Sequence, residues 1–321
     1  MEYRQLGKAG VKVSELSLGA WVTYGHQFGL EDAVAIMSAA FDAGVNFFDN
    51  AEAYAAGQAE TIMGKALKEL GWARKDYLVS TKIFWGGEGP NDQGLSYKHI
   101  IEGVNAALER LQLDYVDLLF AHRPDPDTPI EETVFAFNQI IREGKAFYWG
   151  TSEWSAAEIM RATDFARRNS MRPPSMEQPQ YNLFHRQRFE EEYAILYKEL
   201  GYGTTTWSPL YGGLLTGKYN QGIPKGSRGD LADFDWMKAR FQDEGNLAVT
   251  RQLGEVADDL GISLAQLSLA WLLKNPNVST VITGASNVAQ VDENMKAVEI
   301  KNQLTDDVMA RIDEIIQDIE R

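Results

Sequence analysis

Short apolar runs separated by stretches with helical spacing recur along almost the whole chain. Residues 16–21, 46–50, 77–82, 116–122, 146–151, 175–179, 203–208 and 279–284 read as strands. Most are nearly continuous runs of apolar or small residues, the pattern of a strand covered on both faces. Amphipathic segments between them predict helices over residues 31–43, 59–70, 97–111, 129–142, 155–168 and 188–200. Val34, Met37, Ala40 and Phe41 mark the apolar stripe of the first. Gly44 and Gly71 stand where helices stop, and Pro129 falls in a first helical turn, where its missing N–H costs nothing. A glycine-rich, charged segment follows the seventh strand to about residue 245, and further helices are expected over 246–260, 263–274, 287–298 and 305–319.

Eight strand-then-helix units imply a parallel sheet, and that number favours a closed barrel over an open one. The expected fold is therefore α/β, a (β/α)8 TIM barrel with additional C-terminal helices. Residues 3–14 predict a β-hairpin ahead of it. No repeat or low-complexity stretch interrupts the pattern, so residues 1–321 read as one barrel domain. In such a barrel, function lies on the loops that follow the strands. The long ones, residues 21–30, 84–97 and 209–245, are expected to wall one pocket.

An apolar fraction of 44% and a charged fraction of 24% are ordinary for a globular enzyme. No run approaches the roughly 20 apolar residues of a membrane span, and the start, MEYRQLGKAG, lacks the pattern of a signal peptide. No membrane insertion and a cytoplasmic location are expected. The absence of cysteine excludes disulfides, thiolate metal sites and cysteine nucleophiles. A net charge of -15 argues against nucleic acid as a partner, so any anionic ligand needs a local basic pocket.

Asp49, Lys82 and His122 each end an apolar run, and Tyr54 follows the first of them in a small polar segment. A carboxylate, an ammonium, an imidazole and a phenol so placed converge on one face of a parallel barrel and form a candidate proton-transfer site. A free phenol titrates near about 10, too high for efficient proton exchange near neutrality. An ammonium ~4 Å away favours the phenolate by roughly 4 kcal/mol at an effective dielectric of about 20. Burial opposes it and Asp49 weakens the field of Lys82, so a modest lowering of the Tyr54 pKa is expected. Tyr54 then serves as an acid toward a developing alkoxide, with His122 as a second hydrogen-bond donor. From spacing alone, an interior Asp49–Lys82 ion pair with Tyr54 as a packing aromatic accounts for the residues equally well.

Other motifs fall short. Gly212-x-x-x-x-Gly217-Lys218 matches most of a P-loop, but Tyr219 stands where a Ser or Thr would hold magnesium. No G-x-G-x-x-G follows a strand, which leaves a Rossmann fold unsupported. His26, His99, His122 and His185 form no metal-binding pattern, and no metal is expected.

The segment Asp49-Asn50-Ala51-Glu52-Ala53-Tyr54, followed by Gly57 and Glu60, with Lys82 and His122 at later strand ends, resembles the aldo-keto reductase family. Within it the chain is most similar to the branch of voltage-gated potassium-channel beta subunits and their microbial relatives. That likeness rests on Glu177 to Asn182, Thr206 to Leu210, Gly217-Lys218-Tyr219, and Gly284 to Asn287 with Gln290, Glu293 and Asn294. The resemblance implies NADP(H) as cofactor and a small carbonyl compound as substrate, reduced by hydride transfer with Tyr54 as acid and Lys82, Asp49 and His122 in support. It implies that Trp207 stacks on the nicotinamide while Ser152 and Gln178 hold its carboxamide. Ser208, Leu210, Gly212 and Lys218 would line the pyrophosphate, and Arg228, Ser286 and Gln290 would face the 2′-phosphate. Glu293 and Asn294 would lie on the adenine, with Trp21, Asp49, Pro209 and Gly284 completing the cofactor contacts.

The residues themselves agree in part: Lys218, Lys225 and Arg228 are the densest basic patch near Ser286, which is read as opening the helix after the eighth strand, where an anion is favoured. Trp21, Tyr24, Phe84 and Trp85, with Tyr54 and His122, are expected to form an aromatic substrate pocket. Three positions depart from the family pattern. Asn50 replaces a common Thr, Glu153 stands where channel subunits carry a basic residue, and His122 stands where they have Asn. The last points to an active reductase. The alternative is a redox-sensing channel subunit with weak turnover, and the resemblance adds a homotetramer or a channel-like partner to what is expected.

Overall fold

The computed structural model describes residues 1–21, 24–25, 29–317 and 319, with the side chains of residues 232–234 excepted. His26 and part of the loop over residues 21–30 lie outside the described residues.

The expected hairpin is present: β1 (Tyr3–Gln5) and β2 (Lys12–Ser14) run antiparallel, with Arg4 opposite Val13. Gly7 turns between them at φ 56°, and a Cβ there would lie 2.2 Å from the Gly203 nitrogen, so no side chain fits. This close approach lets Leu6, Ala9 and Val13 pack with Phe47, Leu118, Phe120 and Met176 and stopper the amino-terminal end of the barrel.

The barrel strands are β3 (Leu16–Gly19), β4 (Phe47–Asp49), β5 (Leu78–Ile83), β6 (Val116–Ala121), β7 (Ala146–Thr151), β8 (Met176–Glu177), β9 (Gly203–Thr206) and β10 (Thr280–Thr283). Among the described residues these eight parallel strands close in the order β10-β3-β4-β5-β6-β7-β8-β9. Around them lie α1 (Leu30–Asp42), α2 (Gln58–Leu70), α3 (Tyr97–Leu111), α4 (Ile130–Arg142) and α5 (Ala156–Arg168), then α6 (Lys238–Gln242), α7 (Glu244–Asp259), α8 (Leu264–Lys274), α9 (Val288–Met295), α10 (Ala297–Ile300) and α11 (Asp306–Ile316). The arrangement is the (β/α)8 TIM barrel expected, with its hairpin and its additional C-terminal helices.

Several elements differ in detail. The helix expected over 188–200 is two π-helical turns, Arg188–Glu192 and Leu196–Leu200. Arg188 is tied to Glu153 and the Tyr193 hydroxyl to the Trp154 carbonyl, and these tethers hold the wider turn. The helix expected over 287–298 breaks at Lys296 into α9 and α10. The segment over 209–245 is not bare loop, since it contains 3-10 turns Tyr211–Thr216 and Arg228–Asp230 and the short α6. No single helix among the described residues is long and apolar enough to cross a membrane.

Strand periodicity sets the contents of the barrel. Phe47, Leu118 and Phe120 face the interior and Phe48, Val79, Leu119 and Ala121 face the helices. Continuing each inward row toward the carboxyl end reaches Asp49 on β4, Ser80 and Lys82 on β5, and His122 just past β6. The register pairs Asp49 with Ser80 and Lys82 with Phe120, which stacks the polar ends above the apolar plug.

One outward-facing group makes a separate prediction. Glu177 is fully buried behind β8, accepting a hydrogen bond from the Thr151 hydroxyl and lying 3.5 Å from the Tyr193 hydroxyl. Burial pushes its carboxyl up to about 8 from a reference value of 4.5. Between those values the folded chain keeps a proton that the unfolded chain has lost, so this group's contribution to stability is lost as pH rises through that window. Glu177→Gln is expected to gain on the wild type in urea midpoint from about pH 5 to about pH 8. Midpoints that change in parallel for the two proteins would contradict the buried, protonated state.

Candidate active site

Lys82 lies wholly buried at the carboxyl end of the barrel. Its ammonium donates to Asp49 Oδ2 at 2.6 Å, the Asn50 carbonyl at 2.8 Å and the Tyr54 hydroxyl at 2.9 Å. An ammonium has three hydrogens, and all are used. Asp49 is held in turn by its other oxygen, which accepts from Ser80 Oγ at 2.7 Å and Gln178 Nε2 at 3.0 Å. The carboxylate thus links β4, β5 and the end of β8, from parts of the chain as far apart as residues 49 and 178.

The Tyr54 oxygen accepts from Lys82, which leaves its own O–H for the cavity. Local backbone presents it there: Tyr54 opens a tight turn in which Ala55 and Ala56 are left-handed, at φ 49° and 51°, before Gly57 at 84°. Two non-glycine residues in that region carry roughly 1–2 kcal/mol of strain each, held by the packed turn. Nothing in the sequence pattern announced this feature.

Burial raises the Tyr54 pKa above its ordinary value, outweighing the opposing pull of Lys82. The expected modest lowering is therefore corrected: Asp49 offsets part of the Lys82 field, and desolvation of the phenolate decides the sign. Burial alone would favour neutral Lys82, but Asp49 and Tyr54 raise its pKa, so it stays charged. Burial, then the Lys82 and Arg123 charges, hold His122 well below the usual imidazole range, and it is neutral at physiological pH. Its ring meets Tyr54 edge-on with centroids 5.8 Å apart. Its Nδ1 is buried with no hydrogen-bond partner among the described residues. We assign the proton to Nε2, because a buried unpaired N–H is less tolerable than an unpaired acceptor.

These groups open onto a cavity of about 840 Å³. Trp21, Asp49, Tyr54, Trp85 and His122 line it around the Tyr54 hydroxyl, together with Ser152, Gln178 and Trp207. Ser208, Pro209, Leu210, Gly212, Lys218 and Arg228 form one long wall, and Gly284, Ser286, Gln290, Glu293 and Asn294 the other. Lys82 stands behind the lining. Two residues expected in the substrate pocket do not line it: Tyr24 is buried in the core, where its ring is excluded from the cavity, and Phe84 packs behind Trp85 at a centroid distance of 4.8 Å. Lys225 is exposed and lies off the cavity, so of the three residues of the expected basic patch only Lys218 and Arg228 face it. Burial and then the Arg228 charge disfavour the Lys218 ammonium.

Ser286 also differs in role from the expectation that it opens a helix. The N-cap of α9 is Asn287, whose side chain accepts from Gln290 N, and Ser286 N donates to Gln290 Oε1 at 2.8 Å. The Trp207 indole is edge-on to Trp21 at 6.1 Å, and its Nε1 donates to Glu153 Oε1 at 2.9 Å. Glu153 also accepts from Gln180 N and pairs with Arg188, so it anchors the indole from outside the cavity. Sequence reasoning passed over Arg123 and Trp236, both in the lining. Arg123 directly follows the strand-end His122 and was findable by that position; Trp236, 62% exposed in an irregular segment, carries no such signal.

Comparison with known proteins follows the same lines. Residues 15–317 match the model of the Aldo/keto reductase family. A probable voltage-gated potassium channel subunit beta of Arabidopsis thaliana is 54% identical over 318 residues, 99% of this chain and 97% of the relative. One of Oryza sativa subsp. japonica is 52% identical over the same shares. A putative voltage-gated potassium channel subunit beta of Schizosaccharomyces pombe is 51% identical over 98% of this chain and 93% of its own length. With a family model spanning the barrel and relatives of this similarity along nearly their whole length, the chain belongs to the aldo/keto reductase family.

Proposed function

We propose that this protein is an NADPH-dependent reductase of aldehydes and ketones. The observation that carries the reading is the Asp49–Lys82–Tyr54 chain, in which every ammonium hydrogen is committed and the phenol proton is left facing the cavity beside His122. The cofactor, when bound, supplies a hydride to the carbonyl carbon. Tyr54 delivers the proton to the carbonyl oxygen, and Lys82, held charged by Asp49, stabilises the phenolate left behind. Neutral His122 donates from Nε2 to the same oxygen. Trp207, fixed at its edge by Glu153, offers a flat face for a nicotinamide ring. Gln178 spends its amide hydrogens on Asp49 and Thr205, which leaves its carbonyl oxygen as an acceptor for a carboxamide.

Lys218 and Arg228 on the long wall suit the phosphates, and Arg228, whose guanidinium lies 5.2 Å from the Trp21 ring, is assigned to the 2′-phosphate. Replacement by Leu is expected to weaken NADPH binding about 10- to 100-fold and NADH binding far less, the worth of a charge-assisted hydrogen bond. Titration of Trp fluorescence with each nucleotide measures this, and equal losses for both would remove Arg228 from the phosphate. The reductase reading itself is tested by NADPH oxidation with methylglyoxal and 4-nitrobenzaldehyde.

The relatives, named as subunits of voltage-gated potassium channels, support a second reading, a channel-associated subunit. In that reading the protein turns over slowly and reports cofactor redox state. Rapid steady-state turnover separates the two, since a sensor retains its cofactor. A cytoplasmic site of action and a homotetramer belong to both readings, and sedimentation of the purified protein tests the latter.

A further inference from the structure

Arg123 lines the cavity beside Tyr54 and His122, and its partners leave a recognition face unspent among the described residues. Its Nη1 donates to the His122 carbonyl at 2.5 Å and to Ser152 Oγ at 3.2 Å. No hydrogen bond from its Nε or Nη2 forms among the described residues, and no carboxylate there lies within ion-pairing distance. Lys82, by contrast, is fully committed to Asp49, Asn50 and Tyr54.

The guanidinium is flanked by two indoles, 5.4 Å from the Trp85 ring centroid and 5.8 Å from that of Trp207. Aromatic rings at such distances attract the guanidinium and keep water from the sides they cover, which strengthens any ion pair formed there. Its charge reaches both Tyr54 and His122. Arg228 lies instead over Trp21, on the wall assigned to phosphates. The Nε and Nη2 edge of an arginine is a planar two-donor fork whose geometry matches a carboxylate.

We propose that Arg123 selects carbonyl substrates that carry a carboxylate, binding it so that the carbonyl points at Tyr54 and His122. This deepens the reductase reading and rests on it. The reaction is a two-electron reduction: the carbonyl carbon receives a hydride from the reduced dinucleotide, the oxygen receives a proton from Tyr54, and the carboxylate is unchanged.

The test compares 4-carboxybenzaldehyde with its neutral near-isostere 4-formylbenzamide. The wild type is expected to favour the acid in kcat/KM by about tenfold or more, and Arg123→Gln to erase that preference mainly through KM. Arg123→Lys, which keeps the charge and loses the fork, should retain part of it. Benzoate and benzamide binding, followed by tryptophan fluorescence, provides a readout independent of turnover. Should the wild type reduce neither aldehyde, the reductase reading fails; benzoate bound by the wild type and released by Arg123→Gln would still support the anion site. Equal kcat/KM for acid and amide in the wild type, equal losses for both in Arg123→Gln, or no benzoate binding overturns the proposal.

Discussion

Tyr54→Phe is expected to lower kcat for carbonyl reduction by roughly 10²- to 10⁴-fold, the usual worth of a positioned general acid. The ring keeps its volume and its cavity wall, so NADPH binding should change little. What is lost is the one hydroxyl that accepts from Lys82 at 2.9 Å and still has a hydrogen to give. Because burial raises the phenol pKa, the protonated form needed for reduction persists through neutral pH. Reduction should therefore fall only on the alkaline side, with no inflection in the ordinary histidine range, since His122 is already neutral there. Wild-type turnover by Tyr54→Phe, measured as NADPH oxidation at saturating aldehyde, would remove Tyr54 as the acid.

Lys82→Met is expected to cost about 3–5 kcal/mol of stability in addition to activity, the penalty for leaving a buried charge without its partner. Lys82 is fully buried and Asp49 is 3% exposed, so water cannot replace the lost ion pair. Asp49 would keep its bonds from Ser80 and Gln178 but face no cation. Adding Asp49→Asn to Lys82→Met should then recover part of the loss, giving a coupling between the sites of about 1–3 kcal/mol in a double-mutant cycle. Urea midpoints of the four proteins decide it. Additive effects would mean that Asp49 and Lys82 do not depend on each other in the folded state, contrary to the geometry.

The strand runs ending at Asp49, Lys82 and His122 were legible because a barrel strand buried on both faces reads as an unbroken apolar run, and its end is where polar residues resume. The helix starts expected at residues 155 and 263 fall on capping boxes in the structure, where Ser155 with Glu158 and Ser263 with Gln266 each satisfy orphan N–H groups within one turn. Most of the residues named for the cavity wall came from motif resemblance, and the wall does contain them. Ser286 was misread as the helix opening because Asn287, one residue on, competes for the same capping role.

The sign of the Tyr54 shift was not legible. It depends on the balance between a field that falls with distance and a desolvation set by everything packed around the phenol. Tyr24 and Phe84 were misplaced for a related reason, since aromatic character does not say which side of a loop faces the core. Arg123 went unremarked because a cation is read as solvated until its neighbours are known. By itself the amino-acid sequence determined the α/β barrel, the order of its elements and the strand ends that carry the reactive groups, all of which follow from local periodicity. The tertiary structure alone decided the direction of each pKa, the spending of the Lys82 hydrogens and the open edge of Arg123. Each is a matter of three-dimensional neighbours contributed by residues far apart in the chain.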